Sequence, residues 1–192
     1  MFALQVYLGQ QGDHGDDVIA RFALWPWGKT SPDLPAAHFE LWQLVTSAFL
    51  HGSPMHLFTN MLALWMFGRD VERTLGAWRF FDLYFAAVLS ASLLQLAIVS
   101  YMPGEAYPTL GASGGVFGVL LGYGVLFPRR MVMLIFPPIP MPASVLVILY
   151  GAFELYQGVT GTNEGVAHFA HLGGMAGAWL VLRGWLRHER GY

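Results

Sequence analysis

Several stretches of this chain are apolar for long enough to cross a bilayer, and that property removes most folds from consideration. A transmembrane helix needs roughly 20 mostly apolar residues. In lipid every backbone polar group must also find its partner inside the protein, which leaves helices or closed barrels. Such runs lie at 54–68, 78–101, 113–127, 143–160 and 164–185. Arg69-Asp70-Val71-Glu72-Arg73, Pro103-Gly104 and Pro128-Arg129-Arg130 interrupt them, and charges, prolines and glycines of this kind end helices. Residues 131–142 are apolar but hold four prolines, so an extended, membrane-skimming loop is expected there. The expected fold is all-α and polytopic, with one helical core over 54–192.

The remaining segments are read differently. Residues 10–53 form a mostly polar outer interfacial connection, with Trp25-Pro26-Trp27 and Phe39 to Leu50 suited to the water–lipid boundary. Residues 1–9 read as the tail of a first helix whose start lies outside this sequence. With 55% hydrophobic and 11% charged residues, an ordinary soluble domain is excluded. A net charge of −2 and the lack of a long basic run argue against nucleic acid as a partner. There is no cysteine, so neither disulfides nor thiolate chemistry enter.

Arginines orient the chain. Arg69, Arg73 and Arg79 follow the first complete run, Arg129 and Arg130 the third, and Arg183, Arg187 and Arg190 the last. Residues 103–110 and 161–166 carry no Lys or Arg. The positive-inside rule therefore predicts cytoplasmic arginine loops and a cytoplasmic C-terminus. A bacterial plasma membrane is the expected location, an organelle membrane the alternative.

Two polar residues then stand out, because polar groups at membrane depth are expensive. Ser113 lies in Gly111-Ala112-Ser113-Gly114 and His171 in Ala170-His171-Leu172-Gly173-Gly174. Hydroxyl and imidazole are the parts of a nucleophile and its general base. The predicted topology puts both, with His56, just below the outer surface. Gly114, Gly118 and Gly122 make a bare strip on the serine helix; Gly173 with Gly177, and Gly174 with Ala178, make similar strips on the histidine helix. Small residues at this spacing let helices approach closely, which predicts that imidazole and hydroxyl meet. The rival reading is that the glycines only pack and Ser113 only caps its helix.

An acyl-transfer site also needs donors for an oxyanion. His56 and Asn60 are four residues apart, on one helix face. The turn through Gly111 is placed to aim backbone N–H groups at the start of the serine helix. The alternative for His56 and Asn60 is an interhelical hydrogen bond holding the bundle together. Phe117, one turn after Ser113, either stacks on the imidazole or fills the core.

His56-x-x-x-Asn60, Gly111-x-Ser113-Gly114 and Ala170-His171-x-x-Gly174, in this order on alternate spans, resemble the rhomboid family of intramembrane serine proteases. The resemblance runs from Trp42 onward. It implies a six-helix core, here with its first helix truncated, and a Ser–His dyad without an acid. An oxyanion site using the asparagine and the first histidine is implied as well. Substrates would be single-span or other membrane proteins, cut near the outer boundary after approaching from the side; no cofactor is implied. The chain departs from the pattern at Trp42-Gln43, where many members have Trp-Arg, at Glu72-Arg73-Thr74, and at Gly174-x-x-x-Ala178. The alternative function is a catalytically silent, rhomboid-like protein that binds membrane helices; loss of the serine or histidine would mark it, and both are present.

Glu154 sits inside a predicted span, where an ionised carboxylate is costly. It either orients His171, is protonated, or faces water; because the family dyad lacks an acid, a triad role is not the expectation. For His168, packing is expected ahead of a pairing with Glu154. His51, His56, His168 and His171 fit no metal-binding motif, and no carboxylate stands at ligand spacing in the sequence, so no metal site is expected.

Overall fold

The computed structural model describes residues 14–103, 105–133, 138–161 and 167–190. The expected remnant of a first helix at 1–9 lies outside the described residues. Eight α-helices follow one another among the described residues: α1 (His14–Phe22), α2 (Gln43–Thr46), α3 (Pro54–Ala63), α4 (Arg69–Leu75), α5 (Ala77–Tyr101), α6 (Ser113–Leu126), α7 (Ala143–Thr160) and α8 (His168–Arg190). A 3₁₀ turn at Ser47–Phe49 follows α2, and one π-helical turn at Leu64–Gly68 joins α3 to α4.

Local chemistry sets these boundaries. Ser53 caps α3, its hydroxyl accepting the His56 N–H at 3.1 Å, and Pro54 occupies the first turn, where its missing N–H costs nothing. The helical path that starts there was expected to end at Gly68. It continues through the charged segment to Leu75 and stops only at Gly76, whose φ of +83° suits glycine. Gly161, with φ +64°, closes α7 as a left-handed cap, its N–H reaching the Gln157 carbonyl. The last helix likewise runs past Trp185, to Arg190.

Two of these helices, α5 and α7, are long and apolar enough to cross a membrane; α6 is a shorter apolar helix. Large apolar side chains lie exposed along α5 and α7, among them Leu93, Ile148, Phe153 and Tyr156. An outer face of this kind suits lipid and not water. Inside, Val71, Leu83, Ala87, Val119, Tyr123, Ala143, Ala178 and Leu182 form one buried cluster that joins α4 to α8.

The described ends of the proline-rich stretch are extended as predicted, and Met131–Met133 and Pro140–Pro142 pair as a short antiparallel ribbon beside an otherwise helical fold. Prolines are tolerated there because a two-stranded ribbon is all edge. Within the 10–53 connection the two tryptophans differ. Trp25, expected at the boundary, is only 1% exposed and packs with Ala37 and Ala106, whereas Trp27 is exposed. Leu24 and Thr109 exchange both backbone hydrogen bonds, at 2.9 Å each, tying this segment to the chain just before the serine helix.

Gln43 is the centre of these contacts. It is fully buried; its Oε1 accepts from the Trp25 N–H at 3.2 Å and its Nε2 donates to the His38 carbonyl at 2.9 Å.

Candidate active site

Ser113 is the first residue of α6, and what precedes it fixes its position. Gly111 has φ +128°, a region closed to side chains, and a Cβ there would stand 2.7 Å from the His56 ring and 3.7 Å from the Ser113 hydroxyl. Only glycine lets the imidazole of His56 come so near the serine. The Gly111 N–H, expected to face an oxyanion, is instead donated to the Ser47 carbonyl at 2.9 Å. Gly111 therefore contributes shape to the site, and its amide anchors the turn. The N-cap position is Ala112, and Ser113 is the first residue inside the helix, so the cap place weighed for it is taken by its neighbour.

The Ser113 hydroxyl is turned to His171, with Oγ and Nε2 2.8 Å apart. The glycine strips explain the approach. Gly174 lies against the Gly114 backbone, Gly118 against Ala87 and the Gly174 carbonyl, and Gly173 and Gly177 against α5 around Ser90. Thus α8 uses one small-residue face for the serine helix and the other for α5. Ser90 adds a hydrogen bond from its hydroxyl to the Gly173 carbonyl at 2.8 Å.

Phe117 stacks flat on the His171 ring, with centroids 4.2 Å apart and planes within 5°. The Tyr150 ring meets Phe117 edge-on at 6.0 Å. This answers the choice between core filling and stacking, and it fixes the plane of the imidazole.

The other ring nitrogen of His171 has a partner that the spacing rules did not reveal. Nδ1 lies 2.8 Å from Oε2 of Glu154, and Nδ1 of His168 lies 2.7 Å from the same oxygen. All three residues are buried. The sequence put no carboxylate at ligand spacing to the histidines; the fold supplies one from α7. Their ligand atoms lie within 4.8 Å of one another. The nitrogen–oxygen separations, however, are hydrogen-bond lengths, shorter than the roughly 3.3 Å edge between two ligands of a tetrahedral zinc. Protons fit this arrangement better than an ion does.

Asn60 lies one turn beyond His56 on α3, is buried, and its Nδ2 has no hydrogen-bond partner among the described residues. A buried donor without an acceptor costs stability, and at a reaction centre it suits an incoming anion. His51, passed over as a site residue, packs edge-on to His56 with centroids 5.1 Å apart and accepts the Ala112 N–H at 3.5 Å. Burial, and to a smaller degree His56, pushes its pKa down to about 4. His51 is therefore neutral at pH 7.

The Rhomboid domain model matches residues 38–188. Among curated proteins, the chain is 38% identical over 151 residues to "Rhomboid protein 1, mitochondrial" of Saccharomyces cerevisiae, covering 74% of this chain and 40% of that protein. It is 31% identical over 179 residues to "Rhomboid protease GlpG" of Serratia proteamaculans, covering 91% and 57%. It is 30% identical over 161 residues to "Putative rhomboid protease YdcA" of Bacillus subtilis, covering 82% and 74%. The chain spans about half the length of the first two relatives. With the domain matched across most of its length, the chain belongs to the rhomboid family, integral membrane proteins that include intramembrane serine proteases.

Proposed function

We propose that this protein is an intramembrane serine endopeptidase that cuts membrane-spanning substrates. The observation that carries this reading is the 2.8 Å contact between the Ser113 hydroxyl and His171 Nε2 in a largely buried layer of an apolar bundle. Ser113 Oγ attacks the substrate carbonyl as its proton passes to Nε2; the proton then goes to the leaving amine as the C–N bond breaks. Water hydrolyses the acyl-enzyme by the same exchange. Asn60 Nδ2, His56 and the Ser113 backbone N–H hold the oxyanion. The arginines at 69–79, 129–130 and 183–190 support a cytoplasmic C-terminus and a site near the outer boundary. Substrate helices with weak helix formers at that depth unwind most readily.

The test is cleavage of a single-span substrate in proteoliposomes, together with labelling by a fluorophosphonate probe. Ser113→Ala abolishes both, and His171→Ala abolishes cleavage while the protein stays folded. Undiminished cleavage by pure Ser113→Ala would sink the assignment.

A further inference from the structure

The dyad that the family resemblance implies has no acid, yet a buried carboxylate stands behind the histidine here. We infer that Glu154 is a positioning residue for His171, itself held in place by His168, so that the site works as a serine–histidine–glutamate array. This rests on the protease reading above.

The hydrogen-bond pattern carries the inference. As a carboxylate, Glu154 offers only lone pairs at Oε2, and both histidines then present N–H groups at Nδ1. A proton on His171 Nδ1 leaves Nε2 as a bare acceptor, the tautomer needed to take the Ser113 proton. His168 Nε2 is buried, with no partner among the described residues. His168 therefore serves Glu154 as a donor through Nδ1–H, 2.7 Å from Oε2. Glu154 thus has two fixed donors on one oxygen, from residues one helical turn apart on α8.

The chemistry follows with its charges balanced. When Ser113 Oγ bonds to the substrate carbonyl carbon, its proton moves to His171 Nε2, and imidazolium and oxyanion appear together. The carboxylate 2.8 Å from Nδ1 stabilises the new positive charge in surroundings where little water screens it. The second bond, from His168, keeps the carboxylate from turning away. As the leaving amine takes the proton from Nε2, His171 returns to the neutral tautomer it started in. A membrane-embedded carboxylate is costly to keep, and this role accounts for its presence.

Glu154→Gln is the decisive variant, because an amide oxygen can still accept both N–H bonds while the charge is lost. In proteoliposomes with a single-span substrate, kcat is expected to fall roughly 10²–10⁴-fold, with KM unchanged within about threefold. Fluorophosphonate labelling of Ser113 should slow in parallel, and His168→Phe should give a smaller loss of the same kind. A folded Glu154→Gln that turns over at the parent rate overturns the inference, and if Ser113→Ala is inactive in the same experiment the protease reading stands. Should Glu154→Gln fail to fold, the parent answers instead. Selectively labelled His171 is expected to show a strongly downfield Nδ1–H resonance, and its absence overturns the assignment.

Discussion

One added methyl group tests whether the glycine face of α8 sets the catalytic distance. In Gly174→Ala, the new Cβ would lie 2.7 Å from the Gly114 carbonyl carbon and overlap its oxygen. Non-bonded carbons settle at roughly 3.5–4.0 Å, so α6 and α8 must part by about 1 Å. Ser113 is the neighbour of Gly114, and His171 lies one turn before Gly174. The same displacement therefore acts on the 2.8 Å contact between Oγ and Nε2 and carries it to about 3.8 Å, beyond hydrogen-bond reach. Misplacement by about 1 Å costs on the order of 10²-fold in rate, and overpacking of this kind costs about 1–3 kcal/mol of stability. Gly184→Ala is the control on the same helix. A Cβ there meets nothing within 4 Å, so activity is retained and the helix gains up to about 1 kcal/mol. The assay is cleavage of a fluorogenic single-span substrate in proteoliposomes, paired with thermal unfolding in detergent. Parent-level cleavage by folded Gly174→Ala would refute the claim that this contact sets the geometry.

Two further outcomes follow from groups around the site. Asn60→Ala is expected to lower kcat by about 10²–10³-fold with a much smaller effect on unfolding, since among the described residues Nδ2 leaves no acceptor unpaired; a large stability loss with unchanged turnover would mean that Asn60 is interhelical glue. Stability should also fall with acid because of His51. Its folded pKa is depressed from 6.5 to about 4, so below pH 6.5 the unfolded chain takes up a proton that the folded chain refuses. The contribution is flat above pH 6.5 and is lost between there and about pH 4, by at most about 3–4 kcal/mol. Denaturant titrations of the parent and His51→Gln check this, and equal pH slopes in the two proteins would show that His51 is not the group responsible.

What was legible in the sequence is what depends on periodicity along one segment. The apolar runs at 78–101 and 143–160 became α5 and α7 almost residue for residue, because no competing interaction acts on an uninterrupted apolar helix. The four-residue spacing of Gly114, Gly118 and Gly122 located the contact face of α6, since bare backbone on a helix has little use except close approach. Boundaries set by charge were less legible. Arg69 to Arg73 look like a stop signal, but Asp70 ion-pairs with Arg130, and Arg69 lies over the Trp65 ring. Charges with partners at a helix end need not terminate it, so the path ran on to Gly76.

The least legible residue was the one with most to say about the histidine. Glu154 lies on α7 and His171 on α8, 17 residues apart, and no spacing rule relates side chains on different helices. The sequence did carry a weaker signal. His168 and His171 are one turn apart and so share a helix face, and two imidazoles on one buried face need an acceptor for their N–H groups. An ionisable residue in the neighbouring span was the available acceptor. Counting unsatisfied donors and acceptors across the predicted spans, and not along each one, would have joined Glu154 to the pair. The family likeness worked against that count, because it supplied a complete dyad and left the carboxylate with nothing to explain. Polar groups buried in an apolar bundle constrain one another so tightly that three of them within reach form a single unit, and the serine reads that unit through one tautomer of His171.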